Sequence, residues 1–551
     1  VTGVQTCALP IFWAEMDRRL LMKLGTAGLA AMALPGAAQA MAAQGFTHGV
    51  ASGEPGARSV LLWTRYAAAT DTALTAEVSD TADFVRIVSG GSITAAGDAD
   101  HTAKLRVDGL DPGRWYFYRF VAPDGTMSVT GRTRTLPEGA AGAFTLALFS
   151  CANLPFGWFN AYGHAAARSD IDLVVHVGDY LYEYKVGTYP SAKEAVPGRL
   201  IQPSNELIAL ADYRLRYAAY RSDPDLQRLH QLFPIVAQWD DHEFANDTWK
   251  GGAENHQPDE GDWSAREAAA MRAYDEWMPV GGARWRSYQV GDLATIFLPE
   301  TRITARDKQF EIGDILADKG DAAAALKQFA ETGYRDPARQ LLGSEQEKWL
   351  FDGFAASAKS GTRWQVCAQQ IVMGSLFTPP ESKNWFGANL PDYVQRRVEI
   401  GQLAAKAGLP LNMDSWDGYP AARDRLLAAA QRAGANLVTL SGDSHNAWAF
   451  DLTHGGRPAG IEVGGHSVTS PGFESYTPAI PDDIRVAALR AASPQLRWAN
   501  TRDRGYATVA LTPERVTADW HFVSSVRSHD LALASSHRMT ATRGRNAYDK
   551  G

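Results

Sequence analysis

Side chains of the types that bind metal ions occur in four short clusters, and each cluster follows an apolar run of the sequence. The clusters are Cys151 after FTLALFS, Asp179 and Tyr182 after LVVHVG, Asp240, Asp241 and His242 after PIVAQW, and Asp443 and His445 after LVTLSG. A single carboxylate after a strand is usually a helix cap. Four clusters of thiol, carboxylate, phenol and imidazole groups instead indicate a metal centre.

The donor types in these clusters suit hydrolysis at a pair of metal ions. Asp179 follows Gly178, which allows close backbone approach, and its two carboxylate oxygens can bridge two ions that lie about 3.5 to 4 Å apart in dinuclear hydrolases. Asp443 and His445 are separated by one residue, so in extended backbone both point to the same side. His242 is then available to meet the substrate rather than a metal ion.

The apolar runs predict the elements that bring these clusters together. Six continuous runs are typical of strands buried on both faces, namely FTLALFS, IDLVVHVGD, FPIVAQWDD, DLATIFLPE, RWQVCAQQ and ANLVTLSGDSH. Alanine-rich segments predict helices over 264–277, 344–358 and 419–434. The fold class is therefore α/β, with helices on both sides of a mostly central sheet. Because the carboxyl ends of strands in such a sheet meet at one crevice, distant clusters can share a site.

Residues 43–137 have a different texture, with short alternating apolar and polar runs punctuated by Gly, Pro and Asp. This pattern predicts an all-β sandwich domain that precedes the α/β domain over 142–525. The segment from Leu110 to Tyr118 is similar to the start of a strand in a fibronectin- or immunoglobulin-like module, where a tyrosine folds back on the preceding turn. We interpret this segment as structural packing rather than as a site.

Several of these motifs together resemble one family. The blocks are Gly178-Asp179-x-x-Tyr182-Glu183, Trp239-Asp240-Asp241-His242-Glu243, Asn412-x-Asp414-x-Trp416-Asp417-Gly418-Tyr419-Pro420 and Ser441-Gly442-Asp443-x-His445. Their types and order resemble the signature blocks of PhoD-like alkaline phosphatases and phosphodiesterases, and with further blocks upstream and downstream the resemblance covers nearly all of the chain after residue 40. It implies a calcineurin-like metallophosphoesterase core of central sheets flanked by helices.

The resemblance also implies a ferric ion and calcium as cofactors. At matching positions, Cys151, Asp179, Tyr182 and His445 would hold Fe³⁺, and Asp179, Asp241 and Asp443 would help to hold Ca²⁺. A trivalent ion can keep a phenolate and a thiolate deprotonated, whereas calcium prefers oxygen donors. Asp241 is assigned by equating Asp241-His242-Glu243 with the family's Asn-His-Glu block; Asp240 is the alternative ligand and Asn246 a weaker one.

Other polar residues have two interpretations. Arg214 and Arg216 could contact phosphate with paired N–H groups, or could form salt bridges on a helix face. His176 lies within an apolar run and is better explained as a core histidine with a hydrogen-bond partner. Cys151 could instead form a disulfide with Cys367, since both lie in or just after predicted strands.

The predicted function is metal-dependent hydrolysis of phosphate mono- or diesters, by in-line attack of a metal-activated hydroxide. His242 would stabilise developing charge or protonate the leaving oxygen. One alternative is a phospholipase D-like phosphodiesterase acting on lipid or wall-polymer substrates. A second, from a different class, is a non-catalytic exported protein that binds metal or phosphate.

The beginning of the chain predicts export. Residues 1–15 are unrelated in character to the rest of the chain and are interpreted as a non-native leader, whereas residues 16–40 resemble a twin-arginine signal peptide, with Arg18 and Arg19 before an apolar stretch and a cleavage site after Ala40. The twin-arginine export machinery would then be a partner, and the location periplasmic or secreted. That stretch is too short for a membrane span, so no transmembrane segment is expected in the mature protein.

Charge and composition limit the other partners. The formal net charge is −8 with both signs mixed along the chain, which argues against a nucleic-acid-binding surface. A chain of 551 residues is long enough for more than one hydrophobic core. The basic tail over 526–551 could cover the crevice as a lid or could be solvated.

Overall fold

The computed structural model describes residues 44–317, 320–385 and 392–550, so the predictions for residues 1–40 lie outside the described part. Its strands are β1 (Gly45–Gly53), β2 (Ser59–Ala67), β3 (Thr72–Ser79), β4 (Ile87–Ala95), β5 (Thr102–Asp108), β6 (Trp115–Val121), β7 (Gly131–Arg134), β8 (Phe144–Phe149), β9 (Leu173–His176), β10 (Pro234–Ala237), β11 (Arg286–Val290), β12 (Ala294–Leu298), β13 (Trp364–Ala368), β14 (Leu437–Ser441), β15 (Ala447–His454), β16 (Arg457–Gly464), β17 (Leu496–Asn500), β18 (Gly505–Leu511), β19 (Arg515–Val523) and β20 (Leu533–Thr542).

The α-helices are α1 (Asn160–Ala166), α2 (Leu210–Arg221), α3 (Pro224–Leu232), α4 (Trp263–Trp277), α5 (Ile312–Leu316), α6 (Ala322–Glu331), α7 (Gly343–Lys359), α8 (Asp392–Lys406), α9 (Pro420–Ala433) and α10 (Asp482–Ala492). The six predicted buried strands correspond to β8, β9, β10, β12, β13 and β14, and the three predicted helices to α4, α7 and α9. These element predictions are confirmed.

The six buried strands are divided between two sheets, which corrects the expectation of one mostly central sheet. A nine-stranded sheet has the order β20-β19-β18-β8-β9-β10-β1-β2-β5, and a seven-stranded sheet has the order β11-β12-β13-β14-β16-β15-β17. In the first sheet β8, β9, β10 and β1 are parallel, and in the second β12, β13, β14 and β16 are parallel. The fold is a mixed α/β arrangement of several sheets with a β region at its start.

The two large sheets pack face to face, with helices on their outer faces. In β8, Leu146 and Leu148 belong to the core between the sheets, whereas Ala147 and Phe149 face α1 to α4. This alternation follows from the two-residue period of a strand. Helices α7, α9 and α10 cover the outer face of the second sheet. Both faces of the central strands are therefore buried, which explains why their sequences are continuously apolar.

The region that precedes β8 is all-β, but it is joined to the α/β region by hydrogen bonds. Strands β3, β4, β6 and β7 form a four-stranded antiparallel sheet, while β1, β2 and β5 extend the nine-stranded sheet through the parallel pairing of β1 with β10. A separate apolar core lies between these two groups of strands. The predicted fold-back of a tyrosine is observed, because the hydroxyl of Tyr116 accepts a hydrogen bond from the backbone N–H of Asp111 at 2.8 Å.

The basic tail contains an ordered strand. Strand β20 pairs antiparallel with β19 along its length and forms the edge of the nine-stranded sheet. Residues 533–542 of the tail are therefore incorporated into this sheet. No helix in the described ranges is long and apolar enough to cross a membrane.

Candidate metal centre

The loops after β8, β9, β10 and β14 bring the four predicted clusters to one place. Three groups of ligand atoms each lie within 4.8 Å of one another, namely Cys151 with Asp179 and His445, Asp179 with Asp241 and His242, and Asp240 with Asp241 and Asp443. All of these side chains are buried. Asp179 is shared by the first two groups and Asp241 by the last two, so the three groups form one continuous centre.

Sharp backbone turns at the strand ends direct these side chains inward. Among the described non-glycine residues with positive φ are Cys151 (58°), Asp179 (55°), Asp247 (51°), Asp443 (61°) and His445 (62°). This left-handed conformation is strained for residues with a Cβ and is found at functional sites when the surroundings enforce it. Hydrogen bonds enforce it here, because the N–H of Asp179 donates to Glu243 Oε2 at 3.1 Å and that of Cys151 to the Gly178 carbonyl at 3.2 Å.

Gly178 allows the close approach that the sequence predicted. A Cβ atom at this position would lie 2.3 Å from the Cβ of Asp240 and 2.5 Å from its backbone nitrogen. Any larger residue would push the loop after β9 away from the loop after β10. Gly178 therefore brings Asp179 next to the acidic residues that follow β10.

One half of the centre, which we call the mixed-donor half, consists of Cys151, Tyr182 and His445 beside Asp179. The hydroxyl of Tyr182 donates to Asp179 Oδ2 at 3.1 Å and lies 3.2 Å from His445 Nε2. His445 Nδ1 lies 2.9 Å from the Pro471 carbonyl, so it carries the proton and leaves Nε2 as the acceptor. Burial lowers the pKa of His445 to about 3, and burial together with Asp179 raises the pKa of Cys151. Beside Asp179, the mixed-donor half therefore consists of uncharged donors.

The other half, which we call the oxygen half, consists of Asp240, Asp241 and Asp443. Asp241 is held by the backbone N–H of Asp247, at 2.6 Å from Oδ2, and that of His242, at 3.0 Å from Oδ1. Asp443 Oδ2 and Asp240 Oδ2 have no hydrogen-bond donor among the described residues, and Asp179 Oδ1 has none either. Buried carboxylate oxygens without donors need a positive partner. Metal ions fit this donor set.

Arg302 is a functional residue that the sequence analysis missed. Its buried guanidinium donates to Asp240, to Asp443 Oδ1 at 3.0 Å, and to both oxygens of Asp414 at 2.8 and 3.0 Å. It lies 3.7 Å from Asp241. Arg302 therefore orients the carboxylates of the oxygen half. Arg302 follows the apolar run of β12 as the four clusters follow theirs, so its position after a buried strand is the signal in the sequence that identifies it.

His242 is placed beside the centre by Glu183. The Nδ1 atom of His242 lies 2.7 Å from Glu183 Oε2, and its ring packs against that of Tyr182 at a tilt of 35°, with centroids 4.1 Å apart. Burial lowers the pKa of His242, but Asp241, Asp179 and Glu183 together raise it well above its usual value. The imidazole is therefore held in its charged, donating form.

The three residues predicted to bind substrate lie in different surroundings. Asn246 lies near the centre, with its backbone N–H 2.8 Å from Glu183 Oε1 and its amide 3.2 Å from Glu254. Arg214 forms a paired salt bridge to Glu276 with both contacts at 2.6 Å.

Arg216 does not face the centre as a phosphate ligand. It is buried and donates to the backbone carbonyls of Tyr182, Tyr184, Gln202 and Pro203. It therefore braces the loop that carries Tyr182. In this structure, the guanidinium group of Arg214 is engaged by its salt bridge to Glu276, and that of Arg216 is engaged by these backbone carbonyls.

The two remaining alternatives are decided by local contacts. Cys151 and Cys367 are both free and buried, and they belong to loops and strands of different sheets, so the disulfide is not formed. His176 Nε2 lies 2.9 Å from the hydroxyl of Tyr162, as expected for a core histidine.

Comparison with known proteins places the chain in a family. The model of the PhoD-like phosphatase family matches residues 146–520, and that of the PhoD-like phosphatase N-terminal domain matches residues 30–137. The chain belongs to the PhoD-like phosphatase family. Alkaline phosphatase D of Bacillus subtilis (strain 168) is 33% identical over 516 residues, which cover 89% of this chain and 79% of that protein.

A solved structure agrees with this membership. The structure described as "Structure of PhoD" matches with a TM-score of 0.74 and 30% sequence identity, and the match covers 92% of each chain. Membership in the PhoD-like phosphatase family confirms the prediction of a phosphoric ester hydrolase. The clusters described above are candidate metal ligands of this PhoD-like phosphatase.

Proposed function

We propose that the protein is an exported alkaline phosphatase or phosphodiesterase that hydrolyses phosphate esters at the centre formed by the mixed-donor and oxygen halves. One observation carries the proposal: buried carboxylate oxygens of Asp179, Asp240 and Asp443 that lack donors among the described residues lie beside a thiol, a phenol and an imidazole. Bound cations would compensate the charge of these buried carboxylates, whereas burying them without cations is energetically costly. This cost also argues against a purely structural cluster.

The proposed cofactors are Fe³⁺ and Ca²⁺. Cys151, Asp179, Tyr182 and His445 would hold the ferric ion, because a trivalent ion stabilises the thiolate and phenolate forms. Asp179, Asp241 and Asp443 would hold calcium, which prefers oxygen ligands. Asp240 joins these calcium ligands, since it shares a group with Asp241 and Asp443 and has an oxygen without a donor in the described ranges.

When bound, the ions would supply a Lewis acid and a nucleophile derived from water at neutral pH. His242 would donate a proton to the oxygen of the leaving group, since the surrounding carboxylates favour its charged form. Glu183 would fix the orientation of the ring through its contact with Nδ1. The burial of these groups would exclude bulk water, so the charge on His242 acts at full strength on the substrate.

The wider proposals concern the domains and the location. Residues 142–525 would form a calcineurin-like core, to which the two stacked sheets flanked by helices are suited, and residues 43–137 a fibronectin- or immunoglobulin-like module. Export by the twin-arginine route would deliver a folded, metal-loaded enzyme to the periplasm or the medium.

The proposal is tested by elemental analysis and an absorption spectrum of the purified protein. Tyr182 bound as a phenolate to ferric iron would give a visible charge-transfer band, and both iron and calcium would be found. A protein that hydrolyses phosphate esters with neither metal present would contradict the cofactors. Assays with p-nitrophenyl phosphate and bis-p-nitrophenyl phosphate separate monoesterase from diesterase activity.

The proton donor is tested by His242→Gln. We expect kcat to fall by about 10² to 10⁴-fold, the usual contribution of a general acid, with metal content unchanged. His164→Gln, a half-buried histidine that lies 2.8 Å from the Tyr506 hydroxyl, is the matched control and should retain activity. Full activity of His242→Gln with both metals bound would exclude the proposed role.

A further inference from the structure

Arg221 is a buried arginine that lies away from the metal centre. It is the last residue of α2, and its side chain has no exposed surface. Its guanidinium carbon lies 4.1 Å from the ring centre of Trp63 on β2. None of its three nitrogen atoms has a hydrogen-bond partner that meets normal geometry in the described residues.

The other large buried arginines are different. Arg216 donates to backbone carbonyls, Arg302 to carboxylates, and Arg485 to threonine oxygens and Asp482. A guanidinium is always charged, and a buried charge without partners is among the costliest features of a folded protein. The surroundings of Arg221 must therefore include a group that compensates it.

Three other buried polar atoms in the region of Arg221 also have no hydrogen-bond partner among the described residues. The hydroxyls of Ser52 on β1 and Tyr118 on β6, and the Nδ1 atom of His230 on α3, are buried and make no hydrogen bond of normal geometry with the described residues. Burial raises the pKa of Tyr118, and Ser52 and Arg221 act on it in the opposite direction, so these groups lie within electrostatic range of the Tyr118 hydroxyl.

His230 contributes a further donor rather than a second charge. Burial and then Arg221 lower the pKa of His230, so its imidazole is neutral. Its Nε2 lies 2.9 Å from the hydroxyl of Tyr180. When Tyr180 donates to Nε2, the proton of His230 lies on Nδ1, the atom that has no partner among the described residues. These groups can all donate, and the charge among them is positive.

We propose that Arg221, Tyr118 and Ser52 form a buried binding site for a small monovalent anion, of which chloride is the common example. Water could accept from these donors but would not compensate the charge. Trp63 covers one face of the guanidinium, which leaves its N–H edges to point at an anion. Arg221, Tyr118 and Ser52 have no exposed surface, which favours a small, singly charged ion over phosphate.

The position of the site gives the anion a structural role. Strands β1 and β6 and helices α2 and α3 meet there, so an anion would join the β region at the start of the chain to the α/β region. His230 extends this contact to Tyr180, whose backbone N–H donates to Glu243 at 2.7 Å beside the metal centre. The anion does not require the proposed hydrolysis, and its binding can be tested in protein of any activity.

A crystal of the full chain soaked in sodium bromide tests the site directly. We expect an anomalous difference peak within hydrogen-bond distance of the Arg221 guanidinium and the Tyr118 hydroxyl. Water-like density at this place without an anomalous signal would overturn the proposal.

Thermal unfolding in chloride and gluconate at equal ionic strength tests the same site in solution. An anion that binds only the folded protein should raise Tm by about 1 °C for each tenfold increase in chloride above its Kd. Arg221→Met should abolish this dependence. A Tm of the wild type that is the same in chloride and gluconate would overturn the proposal.

Because Arg221→Met could fail to fold, Tyr118→Phe provides a second measurement. Loss of one donor to a charged ligand should raise the chloride concentration at which Tm begins to increase by about tenfold. Tyr548→Phe, which removes a buried hydroxyl that donates to the Glu462 carbonyl at 2.9 Å, is the matched control and should keep the wild-type dependence. Equal behaviour of the two tyrosine variants would contradict the site.

Discussion

The two halves of the metal centre solve the problem of burial in different ways. Around Asp179, the mixed-donor half uses Cys151, His445 and Tyr182. The thiol and the imidazole are uncharged in the folded protein before metal binds, and the Tyr182 hydroxyl donates a hydrogen bond to Asp179. The oxygen half concentrates carboxylates and surrounds the Arg302 guanidinium with them. The Arg302 guanidinium is therefore part of one half and not of the other.

This difference shows what a buried acidic site requires before it meets its metal. Carboxylates buried together repel one another, and only a positive group or protonation makes their burial tolerable. Arg302 is the positive group here. It donates hydrogen bonds to three carboxylates that lie far apart in the sequence, those of Asp240, Asp414 and Asp443. A thiol, a phenol and a neutral imidazole need no such partner. The thiol and the phenol become negatively charged only when a metal displaces their protons.

The largest expected effect comes from Arg302→Met, which removes the cation of the oxygen half. Three buried carboxylates would lose their partner, and breaking a buried ion pair costs about 3–5 kcal/mol. We expect metal-free protein to lose at least that much free energy of unfolding, as measured by urea denaturation after chelation. Added calcium should restore part of the loss, because a divalent ion can replace the missing charge.

Arg485→Met is the matched control for this comparison. Arg485 is also buried, but its ion pair is with Asp482 at 3.1 Å, at a partly exposed position. Its replacement should cost less and should not respond to calcium. If both variants lost the same stability and neither responded to calcium, Arg302 would be an ordinary structural arginine.

A smaller and more local effect is expected from Cys151→Ser in the mixed-donor half. Serine is nearly isosteric and keeps the backbone, but its hydroxyl is a much poorer ligand than a thiolate. We expect iron affinity to fall by at least about tenfold, with calcium content unchanged, as measured by elemental analysis after dialysis. Cys367→Ser, which alters a buried thiol in β13, should retain both metals. Loss of calcium together with iron would show that the halves are not independent.

The sequence predicted the centre because strand ends carry local signals. An apolar run followed by a glycine and a ligand, as in the segment before Asp179, encodes both a buried strand and the turn that ends it. Arg302 also follows such a run, but a cation is not expected inside a cation site, and only side-chain packing reveals its direction. The contacts of Arg216 could not be predicted for the same reason. The sequence predicts that Arg216 lies on a helix, but its carbonyl partners lie in a loop that has no regular sequence pattern.

The sheet topology was harder to predict from the sequence than the strands and helices themselves. The division of six similar strands between two sheets depends on pairings such as that of β13 with β14, which join segments far apart in sequence. The pairing of β1 with β10 is a further example, because nothing in either segment identifies its partner. Continuous apolar runs indicate burial on both faces, and they do so equally well for one central sheet or for two stacked sheets.

The smallest expected effect is a difference in how the two halves respond to pH in metal-free protein. Burial raises the pKa of Asp240 to about 7, against the action of Arg302, from an ordinary value of 3.8. The folded state then holds a proton that the unfolded chain has released, so Asp240 makes stability fall as pH rises between these values. Burial lowers the pKa of His445 from 6.5 to about 3, so His445 makes stability rise with pH over that range.

Because the two contributions oppose each other, they largely cancel in the wild type and separate in variants. Asp240→Asn should gain stability relative to the wild type as pH increases from about 4 to 7, and His445→Asn should lose it from about 3 to 6.5. Each slope should stay below about 1.4 kcal/mol per pH unit, the limit for one proton. Asparagine suits both sites, because it is isosteric with aspartate and tolerates the left-handed backbone of residue 445. Urea denaturation of chelated protein across this range measures both slopes, and slopes of the same sign would mean that the two halves do not differ in charge.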